Sequence, residues 1–259
     1  MGSRVMAAVA AVTVATGAWG GPASAGVIHA YDFATTYASG GGTFVSDLVG
    51  SADGELLGGA SVSGGALVLD GQNDFVQFAS HLVPTAGADF SVLLRVSIDA
   101  VQSASIVEFI SQGVSNAPGF YIGTDSTGAG FRLSDVYHAP NLALPSRGVF
   151  HDLFLTNGAG GFRFSIDGVE VFSAAAVGSY TALGSHTRLG RQFDPFGEFF
   201  HGEIDTLRVF DTVVTYAEAN APLGGGAVPE PATWAMMLLG FAGLGAALRT
   251  RRRVGPALA

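Results

Sequence analysis

The sequence predicts an all-β fold, two antiparallel sheets stacked as a jelly-roll sandwich, on three observations. Between residues 26 and 220, short runs rich in Val, Ile, Leu and Phe are broken by Gly, Asp, Asn and Ser, which is how turns punctuate strands. Thirty-eight glycines in 259 residues, with only 13% charged residues, argue against a helical bundle, because glycine weakens a helix interior and serves wherever φ must be positive. No repeat of fixed period is visible, so propellers and solenoids lose support. With 48% hydrophobic residues the chain can bury a sizeable core, and one globular domain with appendages fits better than two domains.

Strands are predicted near 27–33, 66–69, 75–78, 90–98, 105–111, 119–123, 130–133, 149–156, 162–166, 169–173, 187–189 and 200–210. The clearest local signal is residues 162–172, where apolar and polar residues alternate on both sides of Asp167-Gly168, a pair suited to the positive φ of a two-residue hairpin. Phe162, Phe164 and Ile166 are expected on one sheet face, and Val169, Val171 and Phe172 on the inward face of the partner. Thr215 with Glu218 three residues later forms a capping-box pattern for a short helical turn ending near Asn220.

Cysteine is absent, which removes disulfides, thiolate zinc sites and cysteine nucleophiles together. All twelve basic residues are arginine, and five of them (Arg4, Arg249, Arg251, Arg252 and Arg253) lie at the ends, so residues 26–226 carry 20 acids against seven arginines. A nucleic-acid partner is therefore not expected, since phosphates require a basic surface.

The two ends read as addresses. Residues 1–25 have the form of a signal peptide, with Arg4 ahead of an apolar stretch and Ala23-Ser24-Ala25 as an A-x-A cleavage site, so that the mature chain begins at Gly26. A Gly- and Pro-containing linker, 221–228, follows the domain of residues 26–220. Next come Pro229, Glu230 and Pro231, an uncharged apolar run over 232–248, and the arginine cluster, with residues 254–259 as a cytoplasmic tail. As a helix that run is about 25 Å long, at the short end of what spans a bilayer, so a single C-terminal transmembrane helix is expected with the domain outside.

The segment 228–253 closely resembles the PEP-CTERM sorting signal of Gram-negative bacteria. That resemblance implies recognition of Pro229, Glu230 and Pro231 by an exosortase, tethering to the inner membrane during sorting, removal of the tail, and delivery to the cell surface or exopolysaccharide matrix. In the middle of the chain five segments stand in order: Gly65 to Val76, Asp89-Phe90-Ser91-Val92, Phe150 to Thr156, Ile166-Asp167-Gly168, and Gly202 to Phe210. Together they resemble laminin-G-like, concanavalin A-type jelly-roll domains. Phe150 stands where that family usually has Trp, and Thr206 where a second Asp is common.

The resemblance implies a carbohydrate-binding or adhesive role, with polysaccharide as a partner, and a calcium ion between the first and last strands. Asp32 and Asp205 sit at the matching places; the plainer alternative is that Asp32 caps a turn and Asp205 faces solvent. The loop Asp70-Gly71-Gln72-Asn73-Asp74 offers Asp70, Asn73 and Asp74 as a second set of oxygen ligands, although such loops commonly just close a turn through their own side chains. Tyr121, Tyr137, Phe193, Phe196 and Phe199 are candidates for stacking on sugar rings.

No catalytic residue is assigned, and the chain reads as a non-enzyme. Glu203-Ile204-Asp205-Thr206-Leu207 begins like the paired-carboxylate strand of laminarinase-type glycoside hydrolases, but Leu207 holds the place of the second glutamate. His151, Asp152 and His201 read as structural, since no Ser lies in a G-x-S-x-G elbow. Cell fractionation is expected to find an unprocessed form in the inner membrane and a shorter form at the surface. Retention of all the protein in the cytosol would contradict this reading of both ends.

Overall fold

The structure, a computed structural model, describes residues 26–223 other than 86, 103–105, 115, 116, 118, 135, 136, 179, 181–183, 185 and 193–196; of residues 137–141 it describes the backbone. The signal cleavage site at Ala23 and Ala25, the sorting motif Pro229, Glu230 and Pro231, and the apolar run 232–248 lie outside the described residues. So do Phe193 and Phe196.

In chain order the strands are β1 (Val27–Tyr31), β2 (Tyr37–Ser39), β3 (Gly42–Val45), β4 (Gly54–Leu57), β5 (Ser61–Ser63), β6 (Ala66–Asp70), β7 (Phe75–Phe78), β8 (Phe90–Ile98) and β9 (Glu108–Gln112). They continue with β10 (Phe120–Thr124), β11 (Gly130–Leu133), β12 (Tyr137–Ala143), β13 (Phe150–Gly158), β14 (Gly161–Ile166), β15 (Val169–Ala174), β16 (Thr187–Leu189) and β17 (His201–Phe210), and a four-residue helix α1 (Tyr216–Ala219) follows. One sheet has the order β15-β14-β13-β8-β17-β6-β5, with β1 also on β17; the other runs β12-β11-β10-β9-β16-β7-β4-β3-β2. Every pairing described is antiparallel. The chain passes from layer to layer many times, so seven of the fifteen pairings described join strands that are not consecutive, as in the jelly roll expected.

The core lies between the layers and is built largely of phenylalanine. Rings from opposite sheets meet edge-on: Phe90 with Phe120 at 5.7 Å and Phe131 with Phe164 at 5.0 Å, while Phe109 meets Phe200 at 4.8 Å. Strand β8 is buried on both faces, because a smaller cluster of Leu93, Phe154, Phe210, Val214 and Ala219 covers the outer side of its sheet. Helix α1 helps close that cluster, and its capping box is present, with the Thr215 side chain accepting from the Glu218 amide and Glu218 accepting from the Thr215 amide.

Buried polar side chains fasten the connections. Gln112, 1% exposed, accepts hydrogen bonds from the Leu82 and Val83 amides at 3.0 Å each and from the Thr187 hydroxyl at 2.6 Å, and its amide nitrogen donates to the Val83 carbonyl at 2.7 Å. Asn157 exchanges two hydrogen bonds with the backbone of Val177 in the same way. Each such side chain replaces the ladder partners that a crossing segment lacks.

Strands β2, β3, β4, β5 and β12 are absent from the sequence-based set. Four of them are three or four residues long, rich in Gly and Ser or largely exposed, so no alternation marks them, and they form because a neighbour offers a free edge. The hairpin β14–β15 is as expected on the first strand, with Phe162 and Phe164 fully buried. On the second strand Val169 and Val171 are 66% and 38% exposed, and Phe172 alone packs inward, 6.3 Å from Phe162. For Val171 the cause is a register shift: Phe164 pairs with Phe172 while Ser165 pairs with Glu170, so Val171 is an extra residue in the edge strand, whereas Val169, opposite Ile166, is exposed beside the hairpin turn.

Replacing Phe164 by Ala should therefore lower unfolding free energy by about 3–5 kcal/mol, whereas Val171→Ser should stay within about 0.5 kcal/mol. Urea denaturation of the two variants tests this, and equal losses would contradict the bulge.

Candidate functional site

The face of the β9-containing sheet turned away from the core carries a polar band. The ladder aligns Glu55, Gln77, Arg188, Ser111 and Tyr121 across five strands, with Val76, Leu189, Ile110 and Ile122 alternating to the core side. Arg188 Nε donates to Gln77 Oε1 at 3.1 Å.

Onto this face fold residues 190–192 and 197–200, between β16 and β17. Gly190 begins this segment at φ +80°, where a Cβ would lie 2.5 Å from a Leu69 methyl carbon, so a side chain would fail there on both conformation and space. The Phe200 amide donates to the Gly190 carbonyl at 2.9 Å, and Gln192 to Gly197 at 3.2 Å, closing the segment on itself. Among the described residues three bonds dock it on β9: the Gly190 amide donates to the Phe109 carbonyl at 3.0 Å, the Ser111 hydroxyl to the Arg191 carbonyl at 2.7 Å, and the Glu108 amide to the Glu198 carbonyl at 3.1 Å.

One flank of the docked segment is aromatic. The Arg191 guanidinium lies 4.9 Å from the Phe75 ring centre and 5.5 Å from that of Phe199, and the two rings are 6.4 Å apart. Both rings are half-buried, with Arg191 over one face of each.

The other flank is ionic. Arg132 on β11 donates through Nη2 to Glu108 on β9 and, at 3.0 Å, to Glu198 Oε2. With its amide turned so that nitrogen faces Glu198, the Gln192 side chain closes the ring, donating to Glu198 Oε2 at 3.0 Å and accepting from Arg132 Nη2 at 2.9 Å. The guanidinium lies 4.3 Å above the Tyr121 ring. Glu108 is fully buried, and its Oε2 has no hydrogen-bond partner. That oxygen lies beside Gly123, where a Cβ would stand 2.1 Å from it and 2.4 Å from the Val107 carbonyl oxygen, so a side chain at residue 123 has no room.

Glu198 adopts φ +50°, a left-handed conformation that costs a non-glycine residue about 1–3 kcal/mol and persists only where surrounding contacts impose it. Burial pushes its carboxyl above the ordinary value, against the opposing pull of Arg132. Asp125 closes the β10–β11 turn, its Oδ1 accepting from the Thr127 hydroxyl at 2.6 Å and the Gly130 amide at 3.2 Å. Burial raises its carboxyl, but these donors outweigh burial and the net shift is downward.

The residues expected from the sequence are distributed differently. Tyr121 is on β10 and 1% exposed, covered by Arg132 rather than standing in a loop. Tyr137 lies on β12, where the backbone alone is described, and Phe199 joins the aromatic flank. Asp32 accepts from the Ala34 amide at 3.1 Å, closing its own turn. Asp205 sits at a register shift in β17, 3.3 Å from Arg95 Nε, and accepts from the Thr206 hydroxyl at 3.1 Å. Asp70 accepts from the Gln72 amide at 2.8 Å, and Asp74 accepts from the Asp70 amide at 3.1 Å, as in a self-closing turn. The other oxygen of Asp74 is buried without a partner, and burial raises this carboxyl. Among the described residues no three His, Cys, Asp or Glu side chains converge as a metal site. A recess of about 490 Å³ near Thr36, Thr43, Leu56, Gly58, Ser61 and Val62 has no charged lining residue.

The sequence reading missed Glu108, Arg132, Gln192 and Glu198. A signal existed in Arg132, a charge between Phe131 and Leu133, and in Glu108, a charge between Val107 and Phe109.

A family model described as the concanavalin A-like lectin/glucanases superfamily matches residues 70–220, and a PEP-CTERM protein-sorting motif matches residues 227–253. No curated protein sequence matches. Among solved structures, a Trypanosoma rangeli sialidase in complex with sialic acid is similar at 12% identity and TM-score 0.56, over 74% of this chain and 32% of that one. The binding domain of botulinum neurotoxin serotype D is similar at 12% identity and TM-score 0.53, over 75% and 50%. Domain 4 of a GH43 extracellular arabinanase from Geobacillus stearothermophilus, in complex with arabinotriose, is similar at 18% identity and TM-score 0.50, over 76% and 97%. These likenesses show the fold, and the chain spans about a third of the sialidase.

Arg132→Ala should destabilise the domain by about 3–5 kcal/mol, because it leaves the Glu108 charge buried and uncompensated. Adding Glu108→Gln in the same chain should restore much of that loss. Thermal unfolding measures both, and a harmless Arg132→Ala would show that the ion pair is not needed.

Proposed function

The chain belongs to the concanavalin A-like lectin/glucanases superfamily and is exported and sorted through its PEP-CTERM motif, and we propose that it acts outside the cell as a carbohydrate-binding, adhesive component of the surface or exopolysaccharide matrix. The observation that carries the proposal is the two-sided arrangement around residues 190–192 and 197–200. Its aromatic flank, Phe75 and Phe199, offers ring faces to the C–H surface of a sugar. Its ionic flank, Arg132, Glu198 and Gln192, offers directed donors and acceptors for hydroxyl groups, with the unpartnered Glu108 oxygen behind them. The arabinotriose complex of the similar arabinanase domain supports the same class of ligand.

Binding rather than glycoside hydrolysis is proposed because Leu207, at the place of the second hydrolase carboxylate, is wholly buried in the core. Exosortase processing follows from the sorting motif. Transient tethering in the inner membrane of a Gram-negative host is part of the proposal.

Titration calorimetry of the processed protein against a panel of neutral and acidic oligosaccharides, arabino-oligosaccharides included, tests the reading. Saturable heat is expected with at least one, with affinity falling at least tenfold in Phe199→Ala and in Glu198→Gln. Running the titrations with and without calcium tests a cation role, for which Asp32 with Asp205, or alternatively Asp70, Asn73 and Asp74, are the proposed ligands, and Asp205→Asn or Asp74→Asn should then abolish any calcium dependence. Silence across the panel would leave a structural protein without a sugar ligand.

A further inference from the structure

We propose that Ser146, His151 and Asp167 form an acyl-transfer site that hydrolyses small carboxylic esters presented to the protein surface. The site lies outside the segment 190–200 and does not depend on the carbohydrate reading. Ser146 Oγ lies 2.8 Å from His151 Nε2, and His151 Nδ1 lies 2.6 Å from Asp167 Oδ2. An ionised carboxylate can only accept, so in the neutral imidazole Nδ1 carries the proton and Nε2 accepts from the Ser146 hydroxyl. This is the order nucleophile, base and orienting carboxylate, which is identified by geometry rather than by position in the sequence.

Each member is held by the fold. His151 is the second residue of β13, paired with Val96, and its side chain is 17% exposed. Asp167 occupies the tight turn between β14 and β15 at φ +51°. Its amide donates to the Asp152 carbonyl at 2.9 Å and its Oδ1 accepts from the Asp152 amide at 2.9 Å, which fixes the carboxylate against β13. Burial raises the Asp167 carboxyl, but the His151 and Asp152 donors outweigh burial and keep it ionised.

The turn carrying Ser146 is anchored by the Gly148 amide, which donates to the Ile98 carbonyl at 2.8 Å, and by Arg147, whose Nη1 donates to the carbonyls of Asp99 and Gln102 at 3.2 and 2.9 Å. Ser146, Arg147, Gly148 and Val149 are all exposed, so the nucleophile is accessible and the ester must approach from outside. A merely capped turn accounts for Asp167, but not for a solvent-exposed serine on the far nitrogen of the histidine.

In the reaction Ser146 Oγ bonds to the ester carbonyl carbon while its proton passes to Nε2. The carbon–oxygen bond to the alcohol then breaks and the alcohol leaves with that proton. A water molecule, deprotonated by the same nitrogen, next attacks the acyl-serine, releasing the carboxylic acid and restoring Ser146. Asp167 orients the ring and stabilises the imidazolium between steps.

The test uses the full exported chain, with p-nitrophenyl acetate as substrate and a fluorophosphonate as covalent probe located by peptide mass spectrometry. The expected result is probe attached at Ser146, p-nitrophenol release falling to the buffer rate in Ser146→Ala, and a loss of at least tenfold in Asp167→Asn, where Asn can still close the turn. Unchanged thermal unfolding of Ser146→Ala ties the loss to chemistry. A wild-type chain that neither labels nor turns over, a probe found only on another residue, or full activity in Ser146→Ala would overturn the proposal.

Discussion

The structure depends on one constraint: two sheets must bury facing layers of phenylalanine against each other. Rings such as Phe131 and Phe164, or Phe90 and Phe120, touch across the layers although each pair is 30 or so residues apart in the chain. The hydrophobic effect draws the layers together without direction, and the edge-on ring packing then leaves little freedom in how they stack. Everything polar is consequently placed on the outer faces, on the loops, or at a few buried points where it must find a partner.

Those buried points are where the candidate site arises. Glu108 within β9 has one carboxylate oxygen on Arg132 and the other beside Gly123, and a charge so buried is tolerable only with a cation against it. Once Arg132 is fixed there, Glu198 and Gln192 can close around it, and the segment that carries them is held with Phe199 facing Phe75. The strain at Glu198 is thus the consequence of docking this segment from both ends onto one strand. The opposite sheet shows the same logic on its exposed side, where the close pairing of β13 and β14 sets Asp167 against His151.

The fold class, twelve of the strands and the helix cap were legible because period-two alternation, Asp-Gly turns and a Thr-Glu capping pair are local signals. The short edge strands were not, since strands such as Tyr37–Ser39 gain their order from a neighbour and carry no apolar alternation of their own. The inward placement of Val171 failed for a related reason: a single extra residue in β15 inverts its parity, and nothing in the local sequence announces it. Among site residues, Phe199 was legible as an aromatic beside a loop. The ionic flank was not, because Glu108 and Arg132 are 24 residues apart and meet only across β10.

The sequence by itself determined the architecture of two layers, the family resemblance, and the sorting label at residues 228–253, all of which rest on patterns that a short stretch of chain contains. Tertiary structure alone decided which polar side chains meet. Whether Arg132 faces Glu108, or Ser146 reaches His151, depends on sheet register and on how the crossing segments are tied down, and those are set by contacts between residues far apart in the chain.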